Sequence, residues 1–240
     1  MKRIAFVLMA AMLLAVSCAQ DKKDGQPEES GLPIKIDGSF EDWDALAGSE
    51  DVYVAKNTLD SPWPAVKEMR VYAIKDKVFY YIRFDSIEME SYMGNEKEEF
   101  PMRINLNTDG EFTSGYTNYF TQAYDFMIEG ALGDGEGGWG SFDGTLYQRV
   151  SGSWANLLAS GSGLVSGAGK GFQYEIVLDR VLFNEAAAKS EVPMPMGDTF
   201  QTSLRFYESS STGKWVELSN IPNSADGTGY GPLLEVNFVK

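Results

Sequence analysis

The sequence contains no histidine and only one cysteine, Cys18, among 240 residues. An intrachain disulfide is therefore impossible, and neither a Cys/His zinc site nor Ser-His-Asp or Cys-His catalysis can be assembled. Positive charge is scarce too: 20 Lys and Arg stand against 35 Asp and Glu, giving a net charge of −15. Binding to phosphates requires clustered Lys and Arg, so nucleic acid is excluded as a partner. Hydrophobic residues make up 43% of the chain, which is normal for a globular protein and argues against wholesale disorder.

A long membrane-spanning run is also missing. The apolar stretch Ile4 to Val16 covers thirteen residues, short of the roughly 20 that a spanning helix needs. Preceded by Lys2 and Arg3, it reads as the hydrophobic region of a signal peptide over residues 1–17. Ala15-Val16-Ser17-Cys18 resembles the lipobox of bacterial lipoproteins, with Ala15 where leucine is more usual. The resemblance implies that Cys18 is acylated and becomes the mature N-terminus. Cleavage removes two basic residues and no acid, so lipid rather than charge would hold the protein at a membrane. Residues 18–33 are polar and carry Pro27 and Pro33, which predicts a flexible tether. Asp21-Lys22-Lys23-Asp24 resembles the export signals of Bacteroidetes lipoproteins, implying an outer-membrane anchor facing the cell exterior. A plain linker facing the periplasm is the alternative.

Residues 34–240 show no second linker and no repeat. Polarity alternates with a period of two in Lys77–Phe84 and Met102–Thr108. Further strands are predicted at Val52–Lys56, Met69–Ile74, Asp125–Gly130, Thr145–Val150, Phe172–Leu178, Thr199–Tyr207, Trp215–Leu218 and Leu234–Val239. Lys75-Asp76 is the expected hairpin turn, and Asp179 to Lys189 the one stretch that could supply helical turns. Short strands with one buried face, together with 25 glycines, predict an all-β fold. The expectation is a single antiparallel β-sandwich, immunoglobulin- or jelly-roll-like, over residues 34–240.

The domain opens with Ile34-Lys35-Ile36-Asp37-Gly38-Ser39-Phe40-Glu41-Asp42-Trp43. This segment, followed in order by Val71 to Phe84, Ile104 to Gly110, Ala123 to Gly130 and Tyr174 to Leu178, resembles the family 9 carbohydrate-binding-module-like domains, which belong with the DOMON-like sandwiches. The resemblance implies a glycan partner and structural calcium. For Asp37 and Trp43 a structural role is expected, with the carboxylate capping its own turn and the indole buried as a plug.

Sugar binding requires exposed aromatic faces beside polar groups that read hydroxyls. Trp63, Trp139 and Trp154 lie in turn-like sequence and are the candidates, with a loop ring folded back over the sandwich edge as the alternative; Trp215 lies in a predicted strand and reads as core. Asp109 and Asp125 are expected at one end of the sandwich, where calcium could join them to carbonyls of the Thr113–Tyr116 loop; a plain Asp-Gly turn is the alternative. Gly133 to Gly138 fits G-x-G-x-x-G but lacks the strand–helix setting of a dinucleotide loop. Asn105-x-Asn107-x-Asp109-Gly110 begins like an EF-hand, yet Tyr116 stands where the bidentate Glu is required. No organic cofactor is called for.

Three functions stay open. The favoured one is a non-catalytic, surface-anchored lipoprotein that binds neutral glycan through loop aromatics. The second is an interaction or adhesion module working with neighbouring cell-surface proteins. The third is a glycoside hydrolase, which needs only two carboxylates roughly 5–9.5 Å apart. Thirty-five acids supply such a pair by chance, so no catalytic residue is assigned and no enzyme is expected.

Overall fold

The structure, a computed structural model, describes residues 31–57, 66–85, 100–118, 122–132, 142–209, 215–224 and 229–240. Two antiparallel sheets make up the sandwich. Sheet A runs in the order β1 (Val52–Lys56), β2 (Val66–Ile74), β3 (Lys77–Phe84), β11 (Gln173–Asp179) and β10 (Val165–Lys170). Sheet B runs β13 (Trp215–Ile221), β12 (Thr199–Ser209), β4 (Phe100–Asn107), β7 (Phe126–Leu132), β8 (Phe142–Val150) and β9 (Ser153–Leu158), and β14 (Leu234–Asn237) also pairs with β12. A small hairpin of β5 (Tyr116–Asn118) and β6 (Gln122–Tyr124) stands apart.

Alternation drives this arrangement, because one face of each strand must leave water. Val78, Tyr80, Ile82 and Phe84 of β3, and Met102, Ile104 and Leu106 of β4, are all essentially inaccessible and join one core. The two layers interlock: Phe84 meets Phe206 edge-on at 5.1 Å, and the Tyr80 hydroxyl lies 3.2 Å from Thr202 Oγ1. Lys75-Asp76 is the tight turn between β2 and β3, since Ile74 pairs with Lys77.

Glycine sets where the layers approach most closely. A Cβ on Gly167 of β10 would sit 2.7 Å from the Tyr174 ring and 3.0 Å from Phe142 Cβ on the opposite sheet. Gly130 and Gly144 face each other across β7 and β8, and the buried Phe142 ring occupies the space they leave.

Two helices lie among the described residues. In α1 (Glu41–Ala45) only Trp43 is buried. The nine residues of α2 (Arg180–Ala188) start at Asp179, whose carboxylate accepts from Leu182 N at 2.9 Å as an N-cap. This is longer than the one or two turns expected, because Phe183 and Ala187 reach the core and Phe183 packs on Phe126 at 4.9 Å.

The opening segment lies on the outer face of sheet A. Asp37 Oδ1 accepts from Ser39 N at 2.8 Å, and Gly38 takes φ +76°, as its turn requires. Glu175, fully buried on β11, holds this segment. Its Oε1 accepts from Asp37 N at 2.9 Å and Gly38 N at 2.8 Å, and its Oε2 accepts from Trp43 Nε1 at 3.3 Å. Trp43 is therefore a plug, but on the outside of sheet A against Tyr81 rather than in the space between the sheets.

Candidate functional site

The outer face of sheet B carries the densest set of polar and aromatic side chains. Arg103, Asn105 and Asn107 alternate with the core residues of β4, and Ser203, Arg205 and Tyr207 do the same on β12. Directly opposed residues in an antiparallel pair share a face. Register therefore sets Asn220, Arg205, Arg103 and Glu129 in one row across four strands.

Two guanidiniums side by side must be compensated. Arg103 Nε donates to Glu129 Oε2 at 2.6 Å, and its guanidinium lies 5.0 Å from the Tyr207 ring centroid. Arg205 lies 4.2 Å from the Tyr230 ring and 5.8 Å from Tyr124, and donates to Gln122 Oε1 at 3.3 Å. Glu217 accepts from the Tyr230 hydroxyl at 2.6 Å. Burial pushes the Glu217 carboxyl above its ordinary range against the pull of that bond and of Arg205 and Arg103. Burial likewise raises Tyr124 to about 12.

This face also holds hydrogen-bonding capacity that the protein leaves unused. Among the described residues, Asn105 Oδ1, Arg205 Nε, Glu217 Oε1 and both amide atoms of Asn220 are buried and have no hydrogen-bond partner. Each such atom costs about 1–3 kcal/mol relative to a satisfied one. Native proteins retain few of them, most often where water or a ligand completes the set.

At one end the face becomes aromatic. Trp154 stacks on Tyr124 at 6.0 Å and 20°, and on Tyr116 at 6.1 Å. Arg149 lies 5.4 Å from the centroids of both Trp154 and Tyr116. Rings and guanidiniums thus follow one another from Arg149 through Trp154 and Tyr124 to Arg205 and Tyr230. Tyr116, Arg149 and Trp154 are half-buried, which leaves part of each open to solvent.

Trp154 is not on a loop, contrary to the sequence expectation. Ser151 and Gly152 adopt φ +48° and +84° and form a two-residue turn, so β9 begins at Ser153 and Trp154 pairs with Arg149. Tyr124 belongs to β6, ahead of β7, and stacks on Trp154. Trp63, Trp139, Cys18 and the Gly133–Gly138 loop lie outside the described residues, as do residues 1–30. Trp215 begins β13.

No protein-family model matches this chain, and no curated protein matches it either.

Asp109 and Asp125 do come together. Ser114 Oγ donates to Asp109 Oδ2 at 2.9 Å and lies 3.2 Å from Asp125 Oδ1. The other oxygens are engaged too, Asp109 Oδ1 by Glu111 N at 2.8 Å and Asp125 Oδ2 by Thr108 N at 3.1 Å. Asn107 turns its amide nitrogen to the carbonyls of Glu111 and Ala123, while Glu129 is held by Arg103. Burial, with the Asp109 charge adding to it, pushes the Asp125 carboxyl up. Among the described residues, no group of three or more His, Cys, Asp or Glu is placed to hold a metal ion. The turn is closed by its own N–H and O–H donors.

Proposed function

We propose that residues 34–240 form a non-catalytic glycan-binding domain of the family 9 carbohydrate-binding-module-like, DOMON-like kind, carried by an outer-membrane lipoprotein with its sandwich outside the cell. The supporting observation is the outer face of sheet B, where half-buried Trp154 and Tyr116 lie at one end of a face that, beyond Tyr124, carries buried polar atoms without partners among the described residues. A pyranose offers an apolar C–H face to rings and hydroxyls that both donate and accept. The unpartnered set matches this dual character: Arg205 Nε donates, Glu217 Oε1 and Asn105 Oδ1 accept, and the Asn220 amide does both. The carboxylates on this face support binding over catalysis. Glu129 is held by Arg103 and Glu217 Oε2 by Tyr230, which leaves Glu217 Oε1 to accept from a ligand hydroxyl.

The test is a glycan-array screen of the purified chain, followed by calorimetry on each saccharide that binds. Substituting Trp154→Ala should weaken binding about tenfold, as expected for loss of one stacked ring worth about 1–1.5 kcal/mol. A chain that binds no saccharide would sink the glycan reading and favour the interaction module.

A further inference from the structure

Six arginines fall among the described residues, and five have hydrogen-bond or ion-pair partners there. Arg70 pairs with Glu68, Arg103 with Glu129, and Arg83 lies 3.9 Å from Glu68. Arg180 donates to the carbonyls of Lys75, Met196 and Gly197, and Arg205 to Gln122. Arg149 is the exception. Among the described residues its guanidinium forms no hydrogen bond and no ion pair, and its contacts are the rings of Trp154 and Tyr116, each at 5.4 Å.

A guanidinium left unpaired in a chain with 35 acidic residues needs a reason. The nearest acid in register is Asp125, whose carbonyl accepts from Arg149 N at 2.7 Å. Its carboxylate turns the other way, toward Thr108 N and Ser114 Oγ. The Asp109 and Asp125 carboxylates are thus held by these donors and form no ion pair with Arg149 among the described residues. A guanidinium beside aromatic rings is partly desolvated by them and keeps N–H donors that fit a carboxylate bidentately. Because Arg149, Trp154 and Tyr116 are all half-buried, a ligand from solvent can reach the group.

We propose that Arg149, between Trp154 and Tyr116, recognises a carboxylate on the bound saccharide, so that the preferred ligand is an acidic, uronate-containing glycan. This rests on the glycan-binding reading above and assigns a charged sugar where the sequence alone suggests a neutral one. The chain's overall negative charge does not forbid such a ligand. Exposed charges farther than about 8 Å from the site are screened at physiological salt, whereas an ion pair beside rings is screened less.

The experiment is calorimetry on the full chain with acidic oligosaccharides cut from polygalacturonate, alginate and glucuronoxylan, each paired with its methyl ester. The ester keeps the shape of the sugar and removes its charge. The acid should bind about tenfold or more tightly than its ester, the magnitude of a charge-assisted hydrogen bond. In Arg149→Met, which keeps the aliphatic stem, acid and ester should converge. Raising the salt should narrow the gap in the unaltered chain, a readout that needs no folded variant. Equal binding of acid and ester, or a preference that survives in Arg149→Met, overturns the proposal while leaving glycan binding intact. Binding of neutral saccharides alone does the same. Failure to bind any saccharide overturns both readings.

Discussion

Glu175 shows how one buried carboxylate can fix a whole segment. Three N–H groups converge on it, from Asp37, Gly38 and Trp43. Such donors favour the ionised form, yet burial outweighs them and, with the Asp37 charge adding to it, pushes the carboxyl up to about 7. The unfolded chain would hold this group near 4.5. Between those values the folded state binds more protons than the unfolded one, so the favourable contribution is complete below about 4.5 and lost as pH rises to about 7. Asp125 and Glu217 are shifted the same way and add to the slope. The thermal midpoint should therefore fall across this window, and Glu175→Gln should make the fall shallower. A variant with the native slope would show that another group sets it.

Among strands, those that alternate were readable before any coordinates. Val52–Lys56 and Lys77–Phe84 agree with β1 and β3 to the residue. The elements that escaped did so for physical reasons. In β10, Val165-Ser166-Gly167-Ala168-Gly169-Lys170 offers no apolar alternation, because the Tyr174 ring lies over its glycines and supplies the missing bulk from β11. In β9 the turn is confined to Ser151-Gly152, and Ser153 already pairs with Val150, although Ser153 looks turn-like in sequence. β5 and β6 have three residues each, too few for a period to register. The site was less legible still. Trp154 could be named from sequence, but Tyr116, Tyr124, Arg149 and Arg205 meet only through strand register between distant segments. The glycine slot gives a sharp prediction. Gly167→Val would force atoms against Tyr174 and Phe142 where a Cβ alone comes within 3.0 Å, and overpacking of this kind costs about 1–3 kcal/mol. Urea unfolding should show that loss in the midpoint with an unchanged slope; a neutral result would mean that the sheets separate easily at β10.

The molecule divides its labour between layers. The opening segment, Asp37 to Trp43, is fastened to the outer face of sheet A through Glu175 and Tyr81. The aromatic and guanidinium face belongs to sheet B, with the shared core between them. Lipidation at Cys18 is the proposal that joins this chain to a membrane. Cys18→Ala should move the protein from the membrane fraction to the soluble one; retention of the variant through a carbonate wash would rule out a lipid anchor at that residue.

The fastening of Trp43 has a mechanical consequence. Tension arriving through the backbone ahead of Ile34 meets the Asp37–Gly38 turn and the indole first, and is passed to β11 and β3 in the middle of a five-stranded sheet. A pull there is shared by the neighbouring strands on both sides instead of peeling an edge. Trp154 and Arg149 lie on the opposite layer, away from that attachment. With the lipid anchor and the glycan site both as proposed, sheet A would bear the load and sheet B the ligand.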